Sequence, residues 1–319
     1  MRVSILIPTL NRLALLKDAL DSARHQTYPD VEILVSDNGS VDRTREYVAQ
    51  VSAVDARVRL LPARPSPDMF SNFNYLVEQS GGDAFCILSD DDRLLPEYVD
   101  HLVRPLIADP EVVASFCDHW IMSATGERRV GDTDENSRAY GRAVLPAGRV
   151  ADPMQAALSQ SISVVFALFR SSVFKRERFD LACGGAADID YAIRAARAGA
   201  LYYVAERLAE YRAHAGTVTS SRSAFMMDGA IAAYAKHHFD QPSHEALRLA
   251  RLRQAYAVKA LFACSKDRAQ WRESIRGYRN SGGSLATPKI LLSFAWAMLP
   301  KAVSEALRAA AKTARGKNS

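Results

Sequence analysis

Cysteine is scarce, with four in 319 residues, at positions 86, 117, 183 and 264. No two are spaced as a zinc knuckle or a redox pair requires. Cys86 and Cys117 lie in apolar, strand-like stretches. The thiols are therefore expected to be buried and reduced, without a disulfide framework. Long apolar runs are missing too: none approaches the roughly eighteen residues of a spanning helix. The N-terminal Met1-Arg2-Val3-Ser4-Ile5-Leu6-Ile7-Pro8 has a short apolar stretch and no small-residue cleavage site after it. It reads as a first strand rather than a signal peptide, and the expected location is the cytoplasm. There is no internal repeat, no low-complexity segment and no aromatic interleaving of the kind that stacks single-stranded bases, so nucleic acid is not expected as a partner. His25, His101, His119, His237, His238 and His244 show no ligand spacing and are expected to be structural or surface residues.

What is present is an ordinary globular composition, 48% hydrophobic and 24% charged, enough for one large or two modest domains. The formal charge of +5 is uneven, because Lys289, Lys301, Arg308, Lys312, Arg315 and Lys317 near the end face a single acid, Glu305. Such a tail is a solvated end, a nucleic-acid arm or a contact for anionic lipid.

The strongest local signal is Asp90-Asp91-Asp92, which follows the apolar run Ala84-Phe85-Cys86-Ile87-Leu88-Ser89. The run has strand length. Three adjacent carboxylates repel one another, so they point either to a bound divalent cation or to a solvated acidic turn. Around this strand the pattern alternates. Strands are expected over residues 3–8, 31–35, 57–61, 84–89 and 112–116. Helices are expected after Asn11 as a cap, after Asp42 through 51, over 70–79 with Gly81-Gly82 as a C-terminal stop, and from Pro96 to about 109. Residues 128–152 are polar and read as a long loop. Residues 163–169 and 201–204 read as strands and 187–198 as a helix. From 224 onward only helical patterns occur, broken at Gln241-Pro242 and Gly282-Gly283. This alternation predicts an α/β fold with a mostly parallel sheet covered on both faces. Ligands in such sheets sit beyond the carboxyl ends of the strands. Pro8-Thr9, Asp37-Asn38 and Asp90 to Asp92 all fall there, which predicts one shared crevice.

The ordered set Val3 to Arg12, Val35-Ser36-Asp37-Asn38-Gly39-Ser40-Val41-Asp42, Ser89-Asp90-Asp91-Asp92, Ala187-Asp188-Ile189-Asp190 and Tyr211-Arg212-Ala213-His214 resembles the family 2 glycosyltransferases. The resemblance covers about residues 1–220. It implies a GT-A, Rossmann-like domain over 1–220, with a helical C-terminal region over 221–319. It implies a metal-dependent, inverting, hexosyltransferase-type enzyme that uses Mg²⁺ or Mn²⁺ and a nucleotide-diphosphate sugar. The acceptor it implies is a hydroxyl of a glycan or lipid-linked glycan, in bacterial surface polysaccharide assembly.

By the same resemblance, Asp92 and His214 touch the metal. Pro8, Thr9, Asn11, Arg12, Asp37, Asn38, Asn72, Asp90, Asp91 and Arg212 line the nucleotide-sugar, and Asp188 is the base with Asp190 as the fallback. Asp37 resembles the aspartate that bonds the nucleobase; a carboxylate accepts the imide N–H of uracil or thymine, which favours a UDP or dTDP donor. Arg212 either neutralises phosphate or pairs with Glu210. Where the family has a glutamate before its catalytic aspartate, this chain has Ala187. Two other classes remain at this stage. A sugar-nucleotide nucleotidyltransferase would need a glycine-rich loop after the first strand, which Pro8-Thr9-Leu10-Asn11-Arg12 lacks. A catalytically silent binding module is suggested only by Ala187. The apolar stretch 290–299 lies either in a membrane interface, giving a peripheral contact through 289–317 on the inner face of the plasma membrane, or in a core or homo-oligomer contact.

Overall fold

A computed structural model describes residues 1–66, 68–175, 177–214, 224–264 and 266–298. The chain divides into two units, one of Met1–Leu181 with Ala187–Ser220, the other of Ala182–Ala186 with Ser221–Ser319.

The first unit runs β1 (Val3–Thr9), α1 (Leu13–Arg24), β2 (Val31–Asp37), α2 (Thr44–Val54), β3 (Val58–Leu60), α3 (Met69–Gln79), β4 (Ala84–Ile87), β5 (Arg93–Leu94), α4 (Tyr98–Ala108), β6 (Val112–Met122), α5 (Val130–Ala139), β7 (Gly148–Arg149), α6 (Pro153–Leu158), β8 (Ala167–Arg170), α7 (Ser171–Phe174), α8 (Ala187–Ala198) and β9 (Ala200–Arg212). One sheet holds all nine strands, in the order β3-β2-β1-β4-β8-β6-β9-β5, with β7 beside β9. Its first half, β3 to β4, is parallel; β8 enters antiparallel to both β4 and β6, while β6 and β9 run parallel. The class is α/β as the alternation predicts, and the sheet is mixed.

β1 is buried along its whole length, as a central strand covered on both faces must be. Val3, Ile5 and Ile7 pack with Leu16, Ala19 and Leu20 of α1 and with α4 in one apolar cluster. Elsewhere in the unit aromatics dominate: Phe179 stacks on Tyr191 of α8 at 4.2 Å between centroids, and Phe169 meets the edge of the same tyrosine at 5.2 Å. The four cysteines are buried and outside any disulfide, and burial pushes the Cys86 thiol up to about 12.

Several elements differ from the sequence reading for identifiable reasons. Residues 128–152 are not a long loop: they form α5, a short 3₁₀ turn at Arg142–Val144 and β7. Their order comes from tertiary polar bonds. Thr133 Oγ1 accepts the Ile121 N–H at 2.9 Å, and buried Asp118 accepts Ser137 Oγ at 2.5 Å and Arg142 Nε at 2.7 Å. Residues 164–166 form a 3₁₀ turn before β8 rather than strand. Asn11 does not cap α1. It sits in the left-handed region at φ 54, and its Oδ1 accepts the Val41 N–H. Asp42 instead takes the first N–H of both α1 and α2, from Leu13 at 3.3 Å and Thr44 at 3.0 Å.

Gly81-Gly82 is not a left-handed helix stop, since α3 ends on extended Ser80. Gly82 is required by close approach: a Cβ there would lie 2.6 Å from Ser4 Oγ and 2.8 Å from both Ser4 N and Ala84 O. Two of those atoms are backbone and cannot swing away. Gly82→Ala is therefore expected to cost about 1–3 kcal/mol, as overpacking does, and urea unfolding of the variant measures it; an unchanged midpoint would show that β1 and β4 separate freely here.

The second unit is helical: α9 (Ala224–Lys236), α10 (Pro242–Ala263), α11 (Arg268–Asn280) and α12 (Pro288–Met298). Ala257, Ala260, Tyr278 and Ile290 form its core, with Trp271 against Phe294 at 5.0 Å. No helix among the described residues is long and apolar enough to cross a membrane. Lys301, Arg308, Lys312, Arg315 and Lys317 of the basic tail, with Glu305, lie outside the described residues.

Candidate active site

The tips of β1 and β2 and the chain after β4 meet, as the strand-end clusters predict. Asn38 N–H donates to Thr9 O at 2.9 Å and continues the parallel register in which Pro8 faces Ser36 and Thr9 faces Asp37. Asn11 N–H donates to Ser40 Oγ at 2.8 Å, latching the β1 loop to the β2 loop. Asn38 holds Ser66 through both ends of its amide. Asn72 of α3 is buried and accepts Ser36 Oγ at 2.5 Å, so it braces the β2 tip. Asn74 bonds the Phe179 backbone.

Asp90, Asp91 and Asp92 are all buried. Thr9 Oγ1 donates to Asp90 at 2.8 Å, and Arg12 Nη1 spans Asp90 at 3.1 Å and Asp91 at 3.0 Å. His214 Nε2 lies 3.0 Å from Asp91 Oδ2. Asp92 Oδ1 accepts the backbone N–H of Arg212 at 2.9 Å. Burial first, then the neighbouring Asp91, pushes the Asp92 carboxyl well above the usual carboxylate range; burial also raises Asp90. The carboxyl groups thus share a place where negative charge is under-compensated by the protein around it.

Arg212 does not pair with Glu210, although both side chains leave the same face of β9, because each is already engaged elsewhere. Glu210 takes Arg93 at 2.7 Å and Arg128 at 2.6 Å. The guanidinium of Arg212 is buried and spends its donors on Asp91 O, Ala124 O and Asp18. It is a strut beneath the aspartates, and this geometry turns it away from the phosphate role expected of it.

Asp37 is fully enclosed. Its Oδ1 accepts Ser40 N–H at 2.9 Å and Ser40 Oγ at 2.5 Å, the Asx-type turn that Asn38-Gly39 favours. Its Oδ2 has no hydrogen-bond partner among the described residues, and Arg45 Nη1, equally unbonded, stands 3.5 Å away. Sequence reading missed Arg45. Its only signal is a cation on the first turn of α2, eight residues after Asp37.

The two candidate bases separate clearly. Asp190, the fallback, is fully buried and paired with Arg194 Nε at 2.8 Å. Asp188 is exposed to solvent, and its Oδ1 accepts the adjacent Ile189 N–H at 2.9 Å. Desolvation by the protein around it pushes the carboxyl up to about 6. No hydrogen bond among the described residues joins Asp188 to the aspartate triplet. Ala187 is fully buried, so a glutamate here would bury a carboxylate that this packing does not accommodate. His119 is buried too; burial and then Arg142 push it down to about 3, a neutral structural histidine.

Residues 4–178 match the family model described as Glycosyl transferase family 2. Among curated relatives, a GalNAc(5)-diNAcBac-PP-undecaprenol beta-1,3-glucosyltransferase of Campylobacter jejuni is 35% identical over 104 residues, 32% of this chain and 34% of that protein. A chondroitin synthase of Pasteurella multocida is 31% identical over 114 residues, 36% of this chain and 12% of that protein. The matches thus span about a third or less of these relatives' own length. Among solved structures, TarS 1-349 of S. aureus in complex with UDP-GlcNAc superposes with a TM-score of 0.63 at 15% identity, over 88% of this chain and 81% of that one. Mannosyltransferase PcManGT of Pyrobaculum calidifontis, in complex with GDP-Man and Mn²⁺, gives 0.59 at 17% identity, over 96% and 86%. At such identities the structural likeness speaks for the fold.

Proposed function

Because this chain belongs to glycosyl transferase family 2, we propose that it moves a hexosyl group from a nucleotide-diphosphate donor to a hydroxyl of a glycan or lipid-linked glycan, with inversion at the anomeric carbon. A UDP or dTDP donor and a place in bacterial surface polysaccharide assembly complete the reading. Residues 1–220 form its catalytic domain and 221–319 a helical extension.

The observation that carries this reading is the buried aspartate triplet, whose Asp92 carboxyl burial and Asp91 push well above its ordinary range. Hard oxygen donors and an imidazole at one under-compensated place suit Mg²⁺ or Mn²⁺, and Asp92 and His214 would hold the ion. When bound, the ion supplies positive charge to the departing diphosphate. Arg12 orients Asp90 and Asp91, and Thr9 fixes Asp90. The family pattern, not an open oxygen, assigns Asp37 to the imide N–H of a base: its Oδ2 is enclosed and faces Arg45. Asp188 takes the proton of the acceptor hydroxyl. Donor-bound TarS and PcManGT share the fold, which supports a nucleotide-sugar here.

The test is incubation with a panel of nucleotide sugars and Mn²⁺, with the anomeric configuration of the product read by NMR; a retained configuration would overturn the mechanism. The pH profile has a definite sign. With the Asp188 carboxyl raised to about 6, the base is protonated and silent below that value. The rate under limiting substrate is expected to rise about tenfold per pH unit up to about 6 and then level off. A rise centred near 4, the ordinary aspartate range, would remove Asp188 from this role.

A further inference from the structure

The chain's positive charge is concentrated in one stretch. Residues 224–298 carry 11 Lys or Arg against 5 Asp or Glu, a net +6, whereas residues 1–223 carry 25 against 30, a net −5. Within the helical unit the surplus is patterned. Arg268, Arg272, Arg276 and Arg279 of α11 are all exposed. Their spacing of four, four and three keeps them within one narrow arc of a helix that turns 100° per residue. Only Glu273, about 60° round the helix from Arg276 and 4.0 Å from Lys259 of α10, adds an acid to the helix after its Asp267 cap.

The arc borders α12. Trp271 Nε1 donates to Ser293 Oγ at 3.2 Å and Tyr278 Oη meets Thr287 Oγ1 at 2.6 Å, so α11 and α12 run antiparallel and side by side. Arg268 Nη2 reaches the Ala297 carbonyl at 3.4 Å, which places the stripe's first member against α12. Gly277, which touches Tyr256 of α10, lies on the opposite flank. α12 in turn is inverted relative to a water-facing helix. It buries Ile290, Ser293 and Ala297, and it turns Pro288, Leu291, Leu292 and Ala295 outward, with Leu291 54% and Leu292 50% exposed. Lys289 is the one charge on its described length.

We propose that this face, the outward leucines of α12 bordered by the arginine stripe of α11, is a docking surface for an anionic lipid bilayer. Arginines take headgroup phosphates while the leucines enter the boundary of the acyl chains. A nucleic acid would use the arginines and leave the leucines without a role. The inference is independent of the donor chemistry proposed above, because it needs no nucleotide-sugar.

The experiment uses the full chain and sedimentation with vesicles of phosphatidylcholine alone or with about one-third phosphatidylglycerol. Binding is expected for the anionic vesicles and to fall with salt. Arg272→Gln/Arg276→Gln/Arg279→Gln should lower partition ~100-fold, about fivefold per arginine. Leu291→Ser/Leu292→Ser should lower it at least tenfold. These side chains are exposed, so an unchanged melting curve shows that either effect is local. The chain's own Lys301 to Lys317 segment is intact in both variants, so equal binding by wild type and the arginine variant would overturn the proposal. So would equal binding to neutral and anionic vesicles, a light-scattering dimer that the leucine variant dissociates while vesicles go unbound, or capture of a polyanion such as heparin without vesicle binding.

Discussion

Asp188→Asn is expected to lower the turnover number about 10³-fold, within the 10²–10⁴ range for a lost general base, while donor binding stays near the wild-type value. The substitution is well suited to the question. Asp188 Oδ1 accepts the Ile189 N–H, and an asparagine carbonyl oxygen keeps that bond. What disappears is the capacity to take a proton. Release of nucleoside diphosphate in the presence of acceptor measures turnover, and titration of the donor measures binding.

Asp190→Asn makes the contrasting case. That carboxylate is fully buried against Arg194, which also reaches Glu177 and the Arg178 carbonyl. Removing one partner of a buried pair costs about 3–5 kcal/mol, so this variant should lose stability and keep its turnover per folded molecule. If the two phenotypes exchange places, with Asp190→Asn silent in turnover and Asp188→Asn only unstable, the base has been misassigned.

The parts of this molecule that were legible in the sequence are those fixed by local chemistry. α8 follows from its 3.6-residue period over 187–198 and is found at Ala187–Ala198. β1 and β2 follow from short β-branched runs. The aspartate triplet is contiguous, so its repulsion could be argued before any neighbour was known. The illegible parts depend on partners far away in the chain. β6 extends to Met122 rather than stopping near 116, because Asp118 and His119 are buried there and Asp118 is bonded to Ser137 and Arg142. β9 runs thirteen residues because β6 pairs with it almost throughout. α5 has an almost wholly polar sequence, and the bonds to Ile121 and Asp118 that order it come from β6. In the site itself, Arg12 as the counter-charge of the triplet and Arg212 as its strut were visible as cations but not as to their targets. The strut's partner, Asp18, sits 194 residues earlier, and nothing in local spacing announces such a pair.

Asp92→Asn carries the second large effect, and its two readouts have opposite signs. Burial and then Asp91 and Asp90 push the Asp92 carboxyl well above its ordinary range. A carboxyl whose folded-state pKa is raised contributes stability that is fully present at low pH and lost as pH rises through the folded-state value. Around neutral pH in EDTA the ionised site therefore works against the fold, and a neutral amide of the same shape relieves it. The variant should melt higher than wild type in EDTA, by on the order of 1 kcal/mol or about 2–4 °C.

Activity should move the other way. If Asp92 holds the cation as proposed, the variant would lose an oxygen donor to Mn²⁺, and turnover should fall at least 10³-fold, the scale of a lost electrostatic stabiliser. Mn²⁺ with UDP at about a hundred times its dissociation constant should stabilise wild type by about 2.7 kcal/mol, and the variant by far less. Differential scanning fluorimetry with EDTA, Mn²⁺, and Mn²⁺ with UDP reads all of these shifts. A variant that melts lower in EDTA and still responds to Mn²⁺ with UDP as wild type does would show that Asp92 is a structural acid, satisfied by the Arg212 N–H, and that the cation belongs elsewhere. The predicted pairing of a more stable protein with a nearly inactive one is the signature of charge held in place for a ligand.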